Sequence, residues 1–437
     1  MNVKKNISLA WPLALTGMLV QSMVMVDVIL VAPLGEEAIA ALGIATTITA
    51  FLIGIQFAMA NGTQLILARL VGQTSAQTRQ FYSGFLLILS VSLLFSGVLY
   101  FLSPYFLSRL SLSTEVVLVA QQYLNIMAWI MVVSAISQVI IVLFNAQGNT
   151  RVSLQGLALE IPVNMFVSYG CIYGIGWLPE LGVQGAAVGS LAAIFARSGF
   201  LVFKLRQQVP AIALFNWPKL TRNEVKSHLL EASPIAANYV TLSVGMMVFQ
   251  LLFAQLPIND YAAIVLVLPW LRLGGQISTA WAQATSIHIS QLIGQDRRLQ
   301  TEKFVKEIIP ITLVVGFILG LLYVFFGLFA TFVYHSQHPE TLAVIHALIP
   351  LYLLLVFFRT INTSAGQALR AFGESGFVLK IHAGTQWLVA LPMCVLLLYL
   401  NMSVFWVFAM LALDEGLKTI PFGRRLKLTL LDIGRSR

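Results

Sequence analysis

The chain has 437 residues, of which 58% are hydrophobic and only 10% charged. A soluble domain carries about a quarter of its residues charged, and no water-facing fold hides this much apolar surface, whereas a bilayer does. The net charge of +9 follows the connections between apolar runs, so it points to membrane topology and not to nucleic acid.

A helix needs about 20 apolar residues to cross the hydrocarbon layer. In chain order the runs fall at 8–32, 41–69, 81–106, 117–145, 152–176, 182–204, 229–256, 261–290, 305–334, 341–368, 376–399 and 402–424. That makes twelve expected spans. Short turns separate them, such as PLGEEA at 33–38, AQGNT at 146–150 and PELG at 179–182. The opening stretch places Lys4 and Lys5 before a long apolar run, with no small-residue cleavage site at signal-peptide distance. It reads as a first helix that is kept. Cys171 and Cys394 both lie in apolar runs, a pattern that suits neither a disulfide framework nor a metal site.

Basic residues mark the cytoplasmic side. With the N-terminus inside, 22 of the 26 Lys and Arg fall on inside segments or helix ends, Lys418 among them. Only Arg109 falls outside, and Arg197, Arg272 and Arg359 remain within helices. Both termini are therefore expected in the cytoplasm.

The chain also repeats itself. Residues 58–73 (AMANGTQLILARLVGQ) and 280–295 (AWAQATSIHISQLIGQ) share six of sixteen positions at an offset of 222. The same offset pairs Pro12 with Pro234, and at an offset of 225 FNAQGNT at 144–150 faces LRAFGES at 369–375. Such self-similarity predicts two six-helix lobes, 1–205 and 229–437, joined by a polar cytoplasmic linker at 206–228 that holds Pro210 and Pro218. Six spans per lobe keep the lobes in one sense, so their pseudo-twofold axis should follow the membrane normal. Duplicated bundles rocking about a central site are a transporter architecture.

Several stretches resemble the MATE (multidrug and toxic compound extrusion) family of the MOP flippase superfamily. They are MVDVILVAPLGEEAIAALGIA in the first helix, LFNAQGNTR and ALRAFGES closing the fourth and tenth, and Pro162, Asn164 and LGVQGAAVGS in the fifth and sixth. The resemblance implies a bacterial inner-membrane protein that expels organic cations against inward H⁺ or Na⁺. On it, Asp27 is the acid of the first motif, Asn164 the asparagine near that acid, and Ser168 and Ser190 stand where members carry a carboxylate and a threonine. Pro12 stands fifteen residues before Asp27, where some members bend. The NorM-like branch has acids where this chain has Leu242 and Arg359. That departure favours proton-coupled, DinF-like behaviour.

The residues themselves supply independent readings. A charge at a helix centre costs about 2.5–3.5 kcal/mol on insertion scales and usually faces a bundle interior or a wet cavity. Asp27 shares a helix face with Thr16, Val20, Met23 and Val24. It is either a site that loads and unloads a proton or a structural hydrogen-bond partner. Glu160, Asn164 and Ser168 form one polar stripe at i, i+4 and i+8. Glu160 either joins the coupling network or pairs with a basic residue. Arg359 shares a face with Thr363 and Gln367, and in the repeat it opposes Ser134 while Thr363 opposes Gln138. Met23, Ser134, Gln138, Arg359 and Thr363 are the expected substrate-cavity residues, with Asp414 or Glu415 as an anionic partner for Arg359. Arg272 is a lone mid-membrane charge. His288 and Glu231 read as packed or interfacial.

The sequence shows no P-loop, no HExxH and no catalytic triad. The expected protein is a monomeric secondary antiporter, not an enzyme, without a cofactor beyond its coupling ion. Its expected partners are small drug-like molecules and the lipid bilayer. A lipid-linked-sugar flippase and a non-transporting receptor are the competing readings.

Overall fold

A computed structural model describes residues 2–109, 113–176, 178–210, 212, 217–329, 332 and 339–435. Parts of the expected linker, 211 and 213–216, lie outside them. Among the described residues twelve long helices follow the expected runs in order. They are α1 (Asn2–Val31), α2 (Glu36–Arg69), α3 (Thr74–Leu107), α4 (Thr114–Ala146), α5 (Arg151–Tyr173), α6 (Val183–Gln208), α7 (Arg222–Phe253), α8 (Ile258–Gly294), α9 (Arg298–Leu328), α10 (Ile349–Ala371), α11 (Ser375–Tyr399) and α12 (Val404–Arg435). Ten of the helices are long and apolar enough to cross a membrane. The chain is a multi-pass, all-α membrane protein.

Helix ends extend past the apolar runs because hydropathy marks only the lipid-embedded part. Thus α1 begins at Asn2 instead of 8, and α12 continues to Arg435 instead of 424. The tenth run, expected as one piece from 341, breaks at Leu348 between a short helix Pro339–Ala347 and α10. Pro350 stands in the first turn of α10. Proline suits that position and clashes with a helix continuing from before it. Two helices carry π-helical turns, Val98–Leu102 in α3 and Gly384–Ala390 in α11.

The chain divides into two compact units, Leu15–Ala236 and Met1–Ala14 with Ala237–Arg437. The boundaries fall inside α1 and α7, two residues past Pro12 and Pro234. In the first unit α4 packs against α2, α3 and α6. In the second, α10 holds the equivalent place against α8, α9 and α12.

Each unit also holds the opening turns of a helix that finishes in the other. In the unit of α8, Leu9, Ala10 and Leu13 join a core with Trp281, Ala284 and Ile287. Lys5 Nζ donates to Gln291 Oε1 at 3.0 Å. In the unit of α2, Glu231 of α7 forms an ion pair with Arg69. His228 is bridged to Thr63 at 2.9 Å and to Gln80 at 2.8 Å.

Helices α5 and α6 approach closely through small residues, the usual device where lipid tails remove any hydrophobic drive. A Cβ added at Gly185 would lie 2.5 Å from the Cys171 carbonyl carbon. One at Gly189 would lie 2.0 Å from Ser168 Oγ and 2.6 Å from its backbone nitrogen. The link between them starts at Gly174, whose φ of +67° ends α5 in the left-handed region that glycine adopts without strain.

Candidate functional site

The end of α1 carries the central carboxylate. Asp27 is 7% exposed, and its Oδ1 is buried without a hydrogen-bond partner. The final turn of a helix leaves its carbonyls unsatisfied. Tyr173 Oη of α5 answers one of them, donating to the Leu30 carbonyl at 2.7 Å. That contact pins the acid-bearing end of α1 to α5. Tyr123 of α4, itself buried, lies within electrostatic reach of Asp27. An isolated carboxylate in such surroundings is costly to keep charged.

The stripe on α5 divides into two roles. Asn164 is fully buried, donates to Ser190 Oγ at 3.0 Å, and leaves its own Oδ1 without a partner. Ser168 Oγ reaches the Ala186 carbonyl at 3.5 Å and packs under Gly189. Glu160 is committed elsewhere, accepting from Arg197 Nη1 of α6 at 2.7 Å. Of its two sequence readings, the basic pairing is the one found. The partner is Arg197, which hydropathy alone leaves as a charge stranded in a helix. Asp27, Asn164, Ser168 and Ser190 share one unit, but among the described residues no hydrogen bond joins Asp27 to the other three.

The expected cavity residues are dispersed. Met23 is half-buried on α1. Ser134 donates to Gln56 Oε1 at 3.0 Å, while Gln56 donates to Ser92 Oγ at 2.6 Å. Ser134 is thus an internal strut between α2, α3 and α4. Gln138 is half-buried with an unpartnered Oε1. Arg359 is exposed on α10 and interacts electrostatically with Tyr323, and Thr363 beside it is half-buried. The equivalent strut in this unit is Ser278 to Thr360, at 2.8 Å.

The expected anionic partners of Arg359 are taken by other groups, which corrects the sequence reading. Asp414 Oδ2 accepts from Lys418 Nζ at 2.5 Å, and Glu415 Oε2 accepts from Asn362 Nδ2 at 2.9 Å. Lys418 itself is 1% exposed, not a residue of the cytoplasmic surface. The Asp414 and Lys418 spacing of i, i+4 is the signal that identifies this pair. Asn362 carries no such signal. His288 is buried and its ring lies 4.3 Å from that of Phe304.

A cavity of about 250 Å³ opens between α7 and α8, lined by Gln250, Phe253, Tyr261, Ile264, Leu268 and Arg272, among others. Arg272 is the one residue of that lining singled out from sequence. None of Met23, Ser134, Gln138, Arg359 or Thr363 lines it. Among the described residues no group of three His, Cys, Asp or Glu is placed to hold a metal.

Comparison with known proteins places these features in a lineage. The MatE family model matches twice, over residues 12–170 and 234–396. The two matches begin 222 residues apart, the offset of the repeat. A probable multidrug resistance protein NorM of Streptococcus pneumoniae serotype 4 is 28% identical over 166 residues, 38% of this chain and 37% of that protein. The match thus spans about a third of that relative's length. The uncharacterised transporter YisQ of Bacillus subtilis is 21% identical across 96% of this chain and 92% of its own length. Among solved structures, a MATE protein in the bent conformation superposes with a TM-score of 0.85 at 17% identity, covering 100% of this chain and 97% of its own. The Vibrio cholerae MATE transporter VcmN in its bent form gives 0.83 at 19% identity, covering 100% and 97%. The duplicated match and the shared twelve-helix fold establish that this chain belongs to the MatE family.

Proposed function

We propose that this protein is a secondary antiporter that exports organic, mostly cationic compounds from a bacterial cell in exchange for protons, with Asp27 as the coupling acid. The observation that carries this reading is the buried, unpartnered Oδ1 of Asp27 on a helix that begins in one unit and ends in the other. Protonation of Asp27 from outside favours release of substrate, and loss of the proton inside prepares the site for another. Coupling requires only that proton and substrate bind with different affinities in the two access states. Asn164, with its free amide oxygen, is assigned to the same coupling network together with Ser168 and Ser190, and Ser190 accepts its amide at 3.0 Å. Pro12 lies at the unit boundary and serves as the hinge. The protein acts as a monomer in the inner membrane with both termini in the cytoplasm.

The names of the relatives support export. Several are called probable multidrug resistance proteins, and one, of Shewanella oneidensis, an FAD transporter. The test uses purified protein in proteoliposomes with pH and Na⁺ gradients imposed separately, and ethidium as the probe. A pH gradient alone should drive export in the parent chain, and Asp27→Asn should abolish it while the protein stays monodisperse. Unchanged export in that variant removes Asp27 from the mechanism, and export driven by Na⁺ alone removes the proton.

A second reading, movement of acidic amphiphiles as in a flippase, is supported by the α7–α8 cavity. Arg272 is exposed at its edge, and a guanidinium at this depth requires an anion or water.

A further inference from the structure

The unit built on α10 contains a second carboxylate that the coupling scheme above leaves unused. Asp414 lies ten residues into α12, about 15 Å along its axis, and is 5% exposed. Its Oδ2 accepts from the Lys418 ammonium at 2.5 Å, while its Oδ1 is buried without a hydrogen-bond partner. Glu415 is the other acid within reach of that ammonium, at 3.6 Å. Asn362 of α10 donates its amide to Glu415 Oε2 and accepts from the Thr419 hydroxyl at 3.0 Å.

Two carboxylates therefore face one ammonium. Fully ionised, the trio carries one negative charge in excess, and an uncompensated charge in a dry interior is strongly unfavourable. The neighbouring helices do not supply the missing positive charge. Asp414's charged neighbours are Lys418 and Glu415, and from α11 the uncharged Thr385 hydroxyl is within hydrogen-bonding reach of it. The remaining charged side chains are further along. His382 of α11 shares a hydrogen bond with Asn238 of α7 at 2.6 Å and faces the cationic Lys418 and Arg370 of α10.

The two acids are not equivalent. Glu415 receives an amide donor, a contact that suits an ionised carboxylate. Asp414 receives the Lys418 ammonium on Oδ2 and, besides it, only the neutral Thr385 hydroxyl within reach of its carboxyl group. A metal cation is disfavoured there, because Lys418 already occupies the carboxylate and repels a second cation.

We propose that Oδ1 of Asp414 is a second exchangeable proton site, so that the protein carries one such acid in each unit, Asp27 in one and Asp414 in the other. Lys418 and Asn362 act as positioning residues that keep Glu415 ionised and leave Asp414 to take the proton. The proposal rests on the proton-exchange reading but invokes different atoms, so the two can fail separately.

The test counts protons. The purified full chain in detergent and weak buffer is saturated with ethidium, and released protons are read with a pH-indicator dye. Release linked to binding should be about two per bound ethidium for the parent chain, one for Asp27→Asn, one for Asp414→Asn and none for the double variant. If the parent releases one and Asp27→Asn none, the second site is overturned and the Asp27 mechanism stands. If the parent releases none, both are overturned. Should Asp414→Asn fail to remain monodisperse, infrared difference spectra of Asp27→Asn decide the matter. A carboxylic-acid carbonyl band that ethidium removes supports the proposal, and its absence overturns it.

Discussion

Asn6 donates its side-chain amide to the Thr285 hydroxyl at 3.3 Å, joining the first turns of α1 to α8. Moved by the repeat offset of 222, Asn6 becomes His228 and Thr285 becomes Thr63. Those two residues make the corresponding bridge at 2.9 Å. The side chains have diverged while the contact has been kept, so the seam between each unit and its crossing helix is an inherited structural element.

That seam should matter to stability. His228→Ala leaves Thr63 and Gln80 without their shared partner, a loss of about 1–3 kcal/mol for buried groups. His228→Asn, which copies the equivalent Asn6, should recover part of it. Thermal unfolding of the two variants in detergent measures the difference, and equal melting would show that the bridge contributes nothing.

Glu160 and Arg197 provide a test of what is structural and what is functional. Glu160→Gln leaves a buried guanidinium unpaired, and breaking such pairs costs about 3–5 kcal/mol. Replacing both residues with glutamine removes the stranded charge and should restore most of the melting temperature. Because the pair is occupied with itself, the double variant should retain pH-driven export of ethidium. Loss of export in a well-folded double variant would return Glu160 to the coupling network.

The α5–α6 contact predicts an intolerance to a single methyl group. Gly189→Ala drives its Cβ into Ser168, and overpacking of this kind costs about 1–3 kcal/mol. Trimming the neighbour in Ser168→Ala should not rescue it, since the backbone nitrogen alone stands 2.6 Å away. A double-variant melting measurement checks this, and full rescue would mean that only the hydroxyl was in the way.

Arg272 should discriminate between substrate classes. Arg272→Gln is expected to leave ethidium export within twofold of the parent. Dodecyl phosphate should raise the melting temperature of the parent but not of the variant. A rise in both would place the acidic group away from the α7–α8 cavity.

The helices were legible because a bilayer imposes a single rule, that about twenty apolar residues must hide their own backbone. The repeat was legible because residues 58–73 and 280–295 kept their order. The site was only partly legible. The depth of Asp27 and the stripe on α5 could be read from spacing, but spacing within a helix does not report which neighbour a side chain meets. Hence Glu160 remained ambiguous until α6 brought Arg197 to it. Lys418 was misplaced for a related reason. A lysine near the end of an apolar run looks cytoplasmic when the run is counted alone, yet α12 continues to Arg435 and carries it into the interior. The break at Leu348 was visible as Pro350 but hidden by the continuous hydropathy around it.

The exchange of helical arms constrains how such a protein arose. A lone six-helix ancestor would have had its own opening turns projecting and a vacant groove where a second set belonged. Two copies could satisfy one another by trading those turns, as domain-swapped dimers do. Gene fusion would then have tied an existing pair together, and the polar stretch after α6 would be the scar of that join.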